Sequence, residues 1–316
     1  MLVRFSFAQT SDAALASRLS RLEDFLVGQF NSTVGLVRES PDSEIAPAYW
    51  LLSDNLIAMH VLQQDHPTIA AQINRTMQKY EIWTDGLHEA LFGDVTSLPP
   101  YTPIVKVVEN NSFLIEVEVR SNRTGEFQPD WTRYADLLCY GALSAYNSGN
   151  YLLADYYFGQ ALQMWNGAGL WDLPTQRDGF YSVYKLALLT YAADKLNQTI
   201  PYRTELEARI WQFQRADGGI RAFYLGNMTS NREANSETAG LVLLAYQFRM
   251  HKDAMIAQQQ AEIIAQQEAQ ARMRMIEELV TVAILIVGLT AFEIKKRQIQ
   301  KRLNRDHASS SSHEAE

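Results

Sequence analysis

Carboxylates set among large aromatic residues are the first sign of possible chemistry in this 316-residue chain. The acids are Asp54, Asp172 and Glu237, and the rings are Trp50, Trp131, Trp171 and Tyr181. Residues of these two kinds suit sugars. Aromatic rings stack on the apolar faces of a pyranose, and two carboxyls can serve as acid and base in cutting a glycosidic bond. For that chemistry the two carboxyls would stand roughly 5 to 10 Å apart. Glu39, His88, Glu89, Asp130, Asp178 and Asn235 occupy comparable places at helix ends and in loops. Each candidate also has a structural reading. Asp130 suits a helix N-cap, with Trp131 as a core anchor. Asp172 and Asp178 flank a loop and suit capping it. Glu237 follows Asn235 and Ser236 and fits the first turn of a helix, where a carboxylate is favoured. Asp54 falls one turn inside an apolar helical pattern, an awkward place for a carboxylate. That makes it the strongest functional candidate, with a solvated helix face as the alternative.

Other chemistries leave no trace. The histidines, at 60, 66, 88, 251, 307 and 313, show no metal-ligand spacing, so neither a metal nor a cofactor is expected. There is no phosphate-binding loop, and Asp217-Gly218-Gly219 lacks a helix-opening context and reads as a turn. The single cysteine, Cys139, sits in the apolar run YADLLCYGAL, so no disulfide forms within the chain and the thiol reads as buried and inert. Net charge is −8. Residues 295–316 hold six basic and three acidic residues, +3, which leaves −11 for residues 1–294. That acidic surface, with no basic stripe, excludes a nucleic-acid partner.

The elements that would position these residues are mostly helical, with a 47% apolar composition ample for a core. Periodicity predicts helices over 12–30, 49–64, 67–80, 131–146, 151–165, 180–196, 202–214 and 236–250, with a short one at best over 87–92. Between them, IVKVVEN and SFLIEVEV alternate and meet at Asn110-Asn111. They read as a β-hairpin inserted at about 103–120. Three junctions look alike: Gln29-Phe30-Asn31 leading to Gly35-Leu36, Trp165-Asn166-Gly167 to Leu170, and Trp211-to-Gln214 running to Gly218-Gly219-Ile220. Glycine there supplies the positive φ that ends a helix, and the aliphatic residue after it packs back. Recurrence of such a unit marks a helical array curving around a shared axis.

The third junction, QRADGGIRAFYLGNMTSNREANSETAGLVLLAYQF, resembles the Q-x-x-D-G-G units of the α/α-toroid superfamily. That superfamily includes terpenoid cyclases, prenyltransferase β subunits and, more loosely, six-hairpin glycosidases. The resemblance is good over 205–248 and weak over 20–64 and 150–196. It implies a mainly α fold, an α/α-toroid-like array of helical hairpins over 12–250, and not an activity. The D-x-D-D acid motif of cyclases is missing, and Cys139 lacks the setting of a prenyltransferase zinc ligand. In a closed array the junctions recur on one face, which predicts that Trp50, Asp54, Trp171, Asp172 and Glu237 converge on one pocket.

Leu279–Phe292 holds fourteen residues without charge, followed by Lys295, Lys296, Arg297, Lys301, Arg302 and Arg305. Counted over 276–294, a helix at about 1.5 Å per residue spans roughly 28 Å, enough for one membrane crossing. The cationic flank places residues 295–316 in the cytoplasm and the domain outside the cell membrane. Six sequons, at Asn31, Asn74, Asn110, Asn122, Asn197 and Asn227, all precede the span and favour glycosylation there. Residues 1–11 read as either the remnant of a signal peptide or a disordered start. Residues 251–275, rich in Ala and Gln, read as a helical stalk. The spacing of Ala257, Ala261, Ile264, Ala271 and Met275 there suits either a lone helix or a weak coiled coil joining copies of the chain. Two functions fit these features. One is a membrane-anchored surface module binding a glycan or an envelope partner. The other is a carbohydrate-active enzyme with a carboxylate pair in the cavity.

Overall fold

Four helices of this chain are buried nearly all round and three along a single stripe, and that contrast sorts them into layers. The computed structural model describes residues 3–42, 47–110, 113–123, 125–230 and 232–310, and it falls into two compact units, Met1–His251 and Lys252–Glu316. In the first unit, α2 (Ser53–Val61), α4 (Ala135–Asn147), α7 (Val183–Leu196) and the opening turns of α9 (Ser236–Ser310) are enclosed. A helix apolar on every side belongs inside. By contrast α3 (Pro67–Lys79) buries Ala70, Ile73, Thr76 and Met77, α5 (Tyr151–Gln163) buries Ala154, Phe158 and Ala161, and α8 (Arg203–Gln212) buries Leu206 and Ile210. These are the i, i+3, i+4, i+7 stripes of outer helices. Each outer helix follows and packs on the inner one before it, giving the hairpins α2–α3, α4–α5 and α7–α8. Helix α1 (Val3–Gly28) adds a further stripe, Leu22, Phe25 and Leu26.

The inner helices touch in succession. Gln247 of α9 donates to the Val61 carbonyl of α2 (3.1 Å). A Cβ added at Gly240 would stand 2.7 Å from Ile57 Cγ2, so glycine is what lets these two helices cross closely. Phe248 of α9 lies edge-on to Tyr191 of α7 at 5.3 Å, and α7 packs along α4. Asn147 of α4 donates to the Ala90 carbonyl in the 3-10 turn His88–Phe92, whose Phe92 stacks on His60 of α2 at 3.6 Å. Each fully buried Leu or Ile in this core, such as Ile57, Leu143, Leu186 or Leu241, contributes roughly 1.5–3 kcal/mol.

The three junctions share one geometry. Gly35, Gly167 and Gly218 have φ of 76°, 91° and 92°. The flanking residues pair across each: Asn31 with Leu36, in the antiparallel strands β1 (Phe30–Asn31) and β2 (Leu36–Val37), Trp165 with Leu170, and Gln214 with Ile220. The aliphatic residue after each glycine is buried, as its packing role requires.

Several boundaries differ from the periodicity. The stretch 49–64 is not all helix. Ala48–Leu51 is strand β3, alternating with Tyr49 and Leu51 buried, and α2 begins only after Leu52 turns the chain at φ 75°. The hairpin forms from β4 (Ile104–Asn110) and β5 (Leu114–Val119), but not as a free insertion. Strand β5 also pairs in parallel with β3, making a three-stranded sheet in the order β3-β5-β4. Part of the Asn110-Asn111 turn lies outside the described residues. Helix α6 (Leu173–Asp178), and strands β6 (Phe180–Ser182) and β7 (Phe223–Leu225), which pair antiparallel, have no counterpart in the periodicity. Helix α1 begins at Val3, ahead of residue 12, where the periodicity places its start. Cys139 is fully buried, and burial pushes its thiol far above the usual range.

In the second unit helix α9 continues to Ser310, with residues 253–301 exposed. It is the one helix among the described residues long and apolar enough to cross a membrane, and none of its apolar window is buried. Of the sequon asparagines, Asn122, Asn197 and Asn227 are exposed and Asn31 and Asn74 half-buried, while the side chain of Asn110 lies outside the described residues.

Candidate functional site

Three helix starts bring acids together. At the first, buried Asn55 accepts the Val37 N–H (2.8 Å) and donates to the carbonyls of Val37 (3.2 Å) and Trp50 (2.6 Å). This bolts the start of α2 to two strands and holds Asp54, one residue away, inside the protein at 3% exposure. The second is the start of α9. Asn235 caps the helix by accepting the Thr238 N–H (3.0 Å), Ser236 N–H donates to the Glu39 carbonyl (2.8 Å) and Ser236 Oγ to that of Arg38 (2.6 Å). Glu237 therefore sits in the first turn beside residue 39. The third is the 3-10 turn. Asp85 accepts the N–H groups of Leu87 and His88 through Oδ1 and faces His88 Nδ1 through Oδ2 at 2.5 Å. The other ring nitrogen, Nε2, lies 3.9 Å from Glu237 Oε1.

The environment pushes these groups in different directions. Burial raises the pKa of Asp54, and the carboxylates of Glu237 and Glu39 raise it further. Its Oδ2 has no hydrogen-bond partner among the described residues. Burial alone would discharge His88, but the Asp85 carboxylate outweighs it and Glu237 adds to the effect, so the imidazole is held protonated. Burial would also favour neutral Asp85, but His88 and the two N–H groups hold its pKa down. Glu39 is raised by burial and by nearby carboxylates, against the Trp50 Nε1–H it accepts at 3.0 Å. Tyr140 stands edge-on to His88 at 5.2 Å, its hydroxyl also unpartnered and its pKa raised by burial. The result is a neutral carboxylic acid, a second carboxyl beside an imidazolium, and an ionised orienting aspartate. Two carboxyls in unequal environments are what acid–base division of labour needs.

Of the five residues expected to converge, Asp54 lies within electrostatic reach of Glu237 and Glu39, and Trp50 donates to Glu39. Asp172 does not join them. It is 1% exposed, and both its oxygens are taken: Oδ1 by Thr175 N–H and Oγ1, Oδ2 by Ala135 N–H and by Lys185 Nζ at 2.5 Å. An acid so fully engaged locks α6, α4 and α7 together and has nothing left for a substrate. Trp171 is 42% exposed and leads an aromatic row through Tyr181 and Tyr224 to Phe213, away from the acids. The Tyr181 hydroxyl is occupied by Asn166. Trp131 is a core residue, edge-on to Tyr157 at 5.0 Å, and Asp130 is exposed. Buried Glu89 accepts the Asp85 N–H through Oε1, which ties it to the turn, while its Oε2 has no partner among the described residues. Asp178 and Asn235 line a cleft of about 230 Å3 together with Glu39.

Asp85 and Tyr140 were not legible as site residues. Asp85-Gly86-Leu87-His88 carries one signal, an aspartate three residues before a histidine across a glycine. Tyr140 carries none in its apolar helix. Among the described residues no group of three or more His, Cys, Asp or Glu is placed to hold a metal ion.

The fold and site thus define a mainly helical domain that encloses a carboxyl–imidazolium cluster, on a chain that also carries one helix fit for a membrane. Compared with known proteins, the chain matches no family model and no curated sequence.

Proposed function

We propose that the first unit is an α/α-toroid-like domain held outside the cytoplasm by the span 276–294, and that it processes a glycan by acid–base catalysis. Asp54 is the general acid and Glu237 the base or nucleophile, with His88 and Asp85 orienting Glu237. The observation that carries this reading is Asp54 itself, buried with an unpaired oxygen and flanked by carboxylates. An uncompensated buried carboxyl costs stability, and such expense gathers at functional sites. The toroid reading draws support from the succession of inner-helix contacts from α2 through α9, α7 and α4 back to α2, and from the three matching junctions. The anchor reading draws support from the unburied apolar window and the basic residues that follow it. Exposed Asn122, Asn197 and Asn227 fit an outside location.

One observation favours a second reading, a surface module that binds a glycan or envelope partner without cutting it. Asp54 and His88 are almost wholly enclosed, so access to the pair is from the side of Glu237, whose side chain is 24% exposed. Reducing-end release from envelope polysaccharide and from a panel of aryl glycosides separates the two. Turnover by the native protein that disappears in both Asp54→Asn and Glu237→Gln, with unchanged folding, supports the enzyme. Saturable glycan binding without turnover supports the module. Protease added to intact cells should remove the domain and spare the tail; the reverse pattern would overturn the orientation.

A further inference from the structure

The cleft that adjoins the acid pair has a chemistry of its own. It is lined by Glu39, Asp178, Phe180, Phe223, Arg232 and Glu233, among others. At about 230 Å3 it falls below the roughly 300–1,000 Å3 of drug-sized pockets, so it suits one ring and not an oligomer. Phe180 and Phe223 supply apolar faces, and the Arg232 guanidinium lies 4.6 Å over Phe180. Three carboxylates and one cation line the cleft, a formal balance of −2. Each is fixed through one oxygen: Glu39 by Trp50 (3.0 Å), Glu233 by Ser40 Oγ (2.9 Å), Asp178 by the Phe180 N–H (2.8 Å). The geometry is therefore preset, and among the described residues the second oxygen of each acid has no hydrogen-bond donor fixed on it. Asp54, 3% exposed and with Oδ2 unpartnered among the described residues, is within electrostatic reach of Glu39, whose carboxylate raises its pKa. A ligand that offers donors and positive charge would meet acceptors along the cleft wall. A ligand carrying a carboxylate would be repelled by the three acids that line it.

We infer that this cleft is the ring-recognition subsite and that it selects an amino sugar, a pyranose bearing an ammonium group, over neutral sugars and uronic acids. The inference rests on the glycan-processing reading and narrows it to a substrate class. The aromatic walls take the apolar ring face, and Glu233 and Asp178 take the ammonium through charge-assisted hydrogen bonds. Arg232 is left to a ring hydroxyl.

The test uses the full chain in detergent micelles at pH 7, titrated with glucosamine, glucose and glucuronate and followed by ligand-observed NMR. Glucosamine should bind on the order of tenfold tighter than glucose, with glucuronate weakest. Raising the salt concentration should shrink the preference. Glu233→Gln and Asp178→Asn should each lower the glucosamine-to-glucose ratio severalfold at an unchanged melting temperature. Equal affinities, a preference for glucuronate, a selectivity untouched by both substitutions, or no saturable binding of any of the three would each overturn the assignment. Failure here is separable from failure of the proposed function. Turnover lost in Asp54→Asn together with indifference among the three sugars removes the cleft assignment and leaves the acid–base site. Glucosamine selectivity without turnover of any glycan does the reverse.

Discussion

If Asp54 is kept for chemistry and not for stability, replacing it by asparagine should strengthen the fold. Asparagine has nearly the same shape, so no cavity forms, and it removes the group whose ionisation the interior resists. The sign follows from linkage. A carboxyl whose folded pKa lies above its unfolded value holds a proton in the native state that the unfolded chain has lost. Its contribution to stability is whole below the unfolded value, about 3.9, and is lost as pH rises through the folded value. Across that window stability falls by about 1.4 kcal/mol per pH unit for one proton. Burial and two neighbouring carboxylates push Asp54 the same way, so the window opens at about pH 4 and extends upward. At pH 7 Asp54→Asn should be the more stable protein, by about 1.4 kcal/mol for each pH unit by which the folded value of Asp54 exceeds the unfolded one. In a domain of this size that is a rise of roughly 2–4 °C in melting temperature per kcal/mol. Urea unfolding of the native protein and the variant at pH 5, 6, 7 and 8 reads it directly. The difference between them should grow with pH until the folded value is passed, while turnover is lost. His88 adds its own decline with rising pH, but that is common to both proteins and cancels. A variant less stable than native by 1 kcal/mol, or a difference flat across this range, would refute the reasoning. It would mean that the Asp54 carboxylate is held as a charge.

Three further outcomes follow from the geometry. Asp172→Ala leaves buried Lys185 with Asp136 alone, at 3.7 Å, and should cost about 1–3 kcal/mol in urea unfolding, part of it recovered by adding Lys185→Met. His88→Gln removes the imidazole that Asp85 holds beside Glu237 and should lower kcat on the order of tenfold or more with folding in urea kept; an unchanged kcat would refute its orienting role. Glycopeptide mass spectrometry should find Asn122, Asn197 and Asn227 occupied and Asn31 bare, because Asn31 Nδ2 already donates to the Tyr49 hydroxyl at 3.0 Å; a glycan on Asn31 would contradict that contact.

How much of this was legible in the sequence depended on whether the signal was local. The junction glycines were readable because a positive φ has a residue signature, and Gly218 shows the constraint at its sharpest: a Cβ there would fall 2.0 Å from the Arg21 carbonyl. Helices with a single apolar stripe, such as α3, were readable from period alone. Strand β3 was not, because its four residues, Ala48–Leu51, gain their identity from pairing with β5 some sixty residues later. The same applies to the site. Asp54 was legible as an acid out of place in an apolar helix. Its relation to His88 and Glu237 was not, since it arises only when three helix starts are brought together. Asp172 misled for a related reason: the D-L-P sequence is a sound helix start, with the aspartate capping Thr175 and Pro174 in the first turn, and its further tie to Lys185 depends on the fold.

The two buried acid networks of this domain show, side by side, what separates support from function. Around Lys185 the charges close on themselves. Asp172 is filled, Asp136 accepts the Tyr184 hydroxyl at 2.6 Å and lies 3.7 Å from the same ammonium, and burial of Asp136 is outweighed by Lys185 so that it stays ionised. Nothing there is left to act on a ligand. Around His88 the charges do not close. One cation is shared by Asp85 and, at longer range, Glu237, while Asp54 and Tyr140 keep unpartnered oxygens a few residues from those that are satisfied. Tyr184 and Tyr140 are both placed on the inner helices, α7 and α4, between the two networks, and each has its pKa raised by burial and by carboxylates from both sides. A domain able to satisfy one buried acid cluster completely had the means to satisfy the other. Leaving the second one open, at the end where Glu39, Glu237 and the cleft meet, costs stability that only a ligand or a reaction would offset.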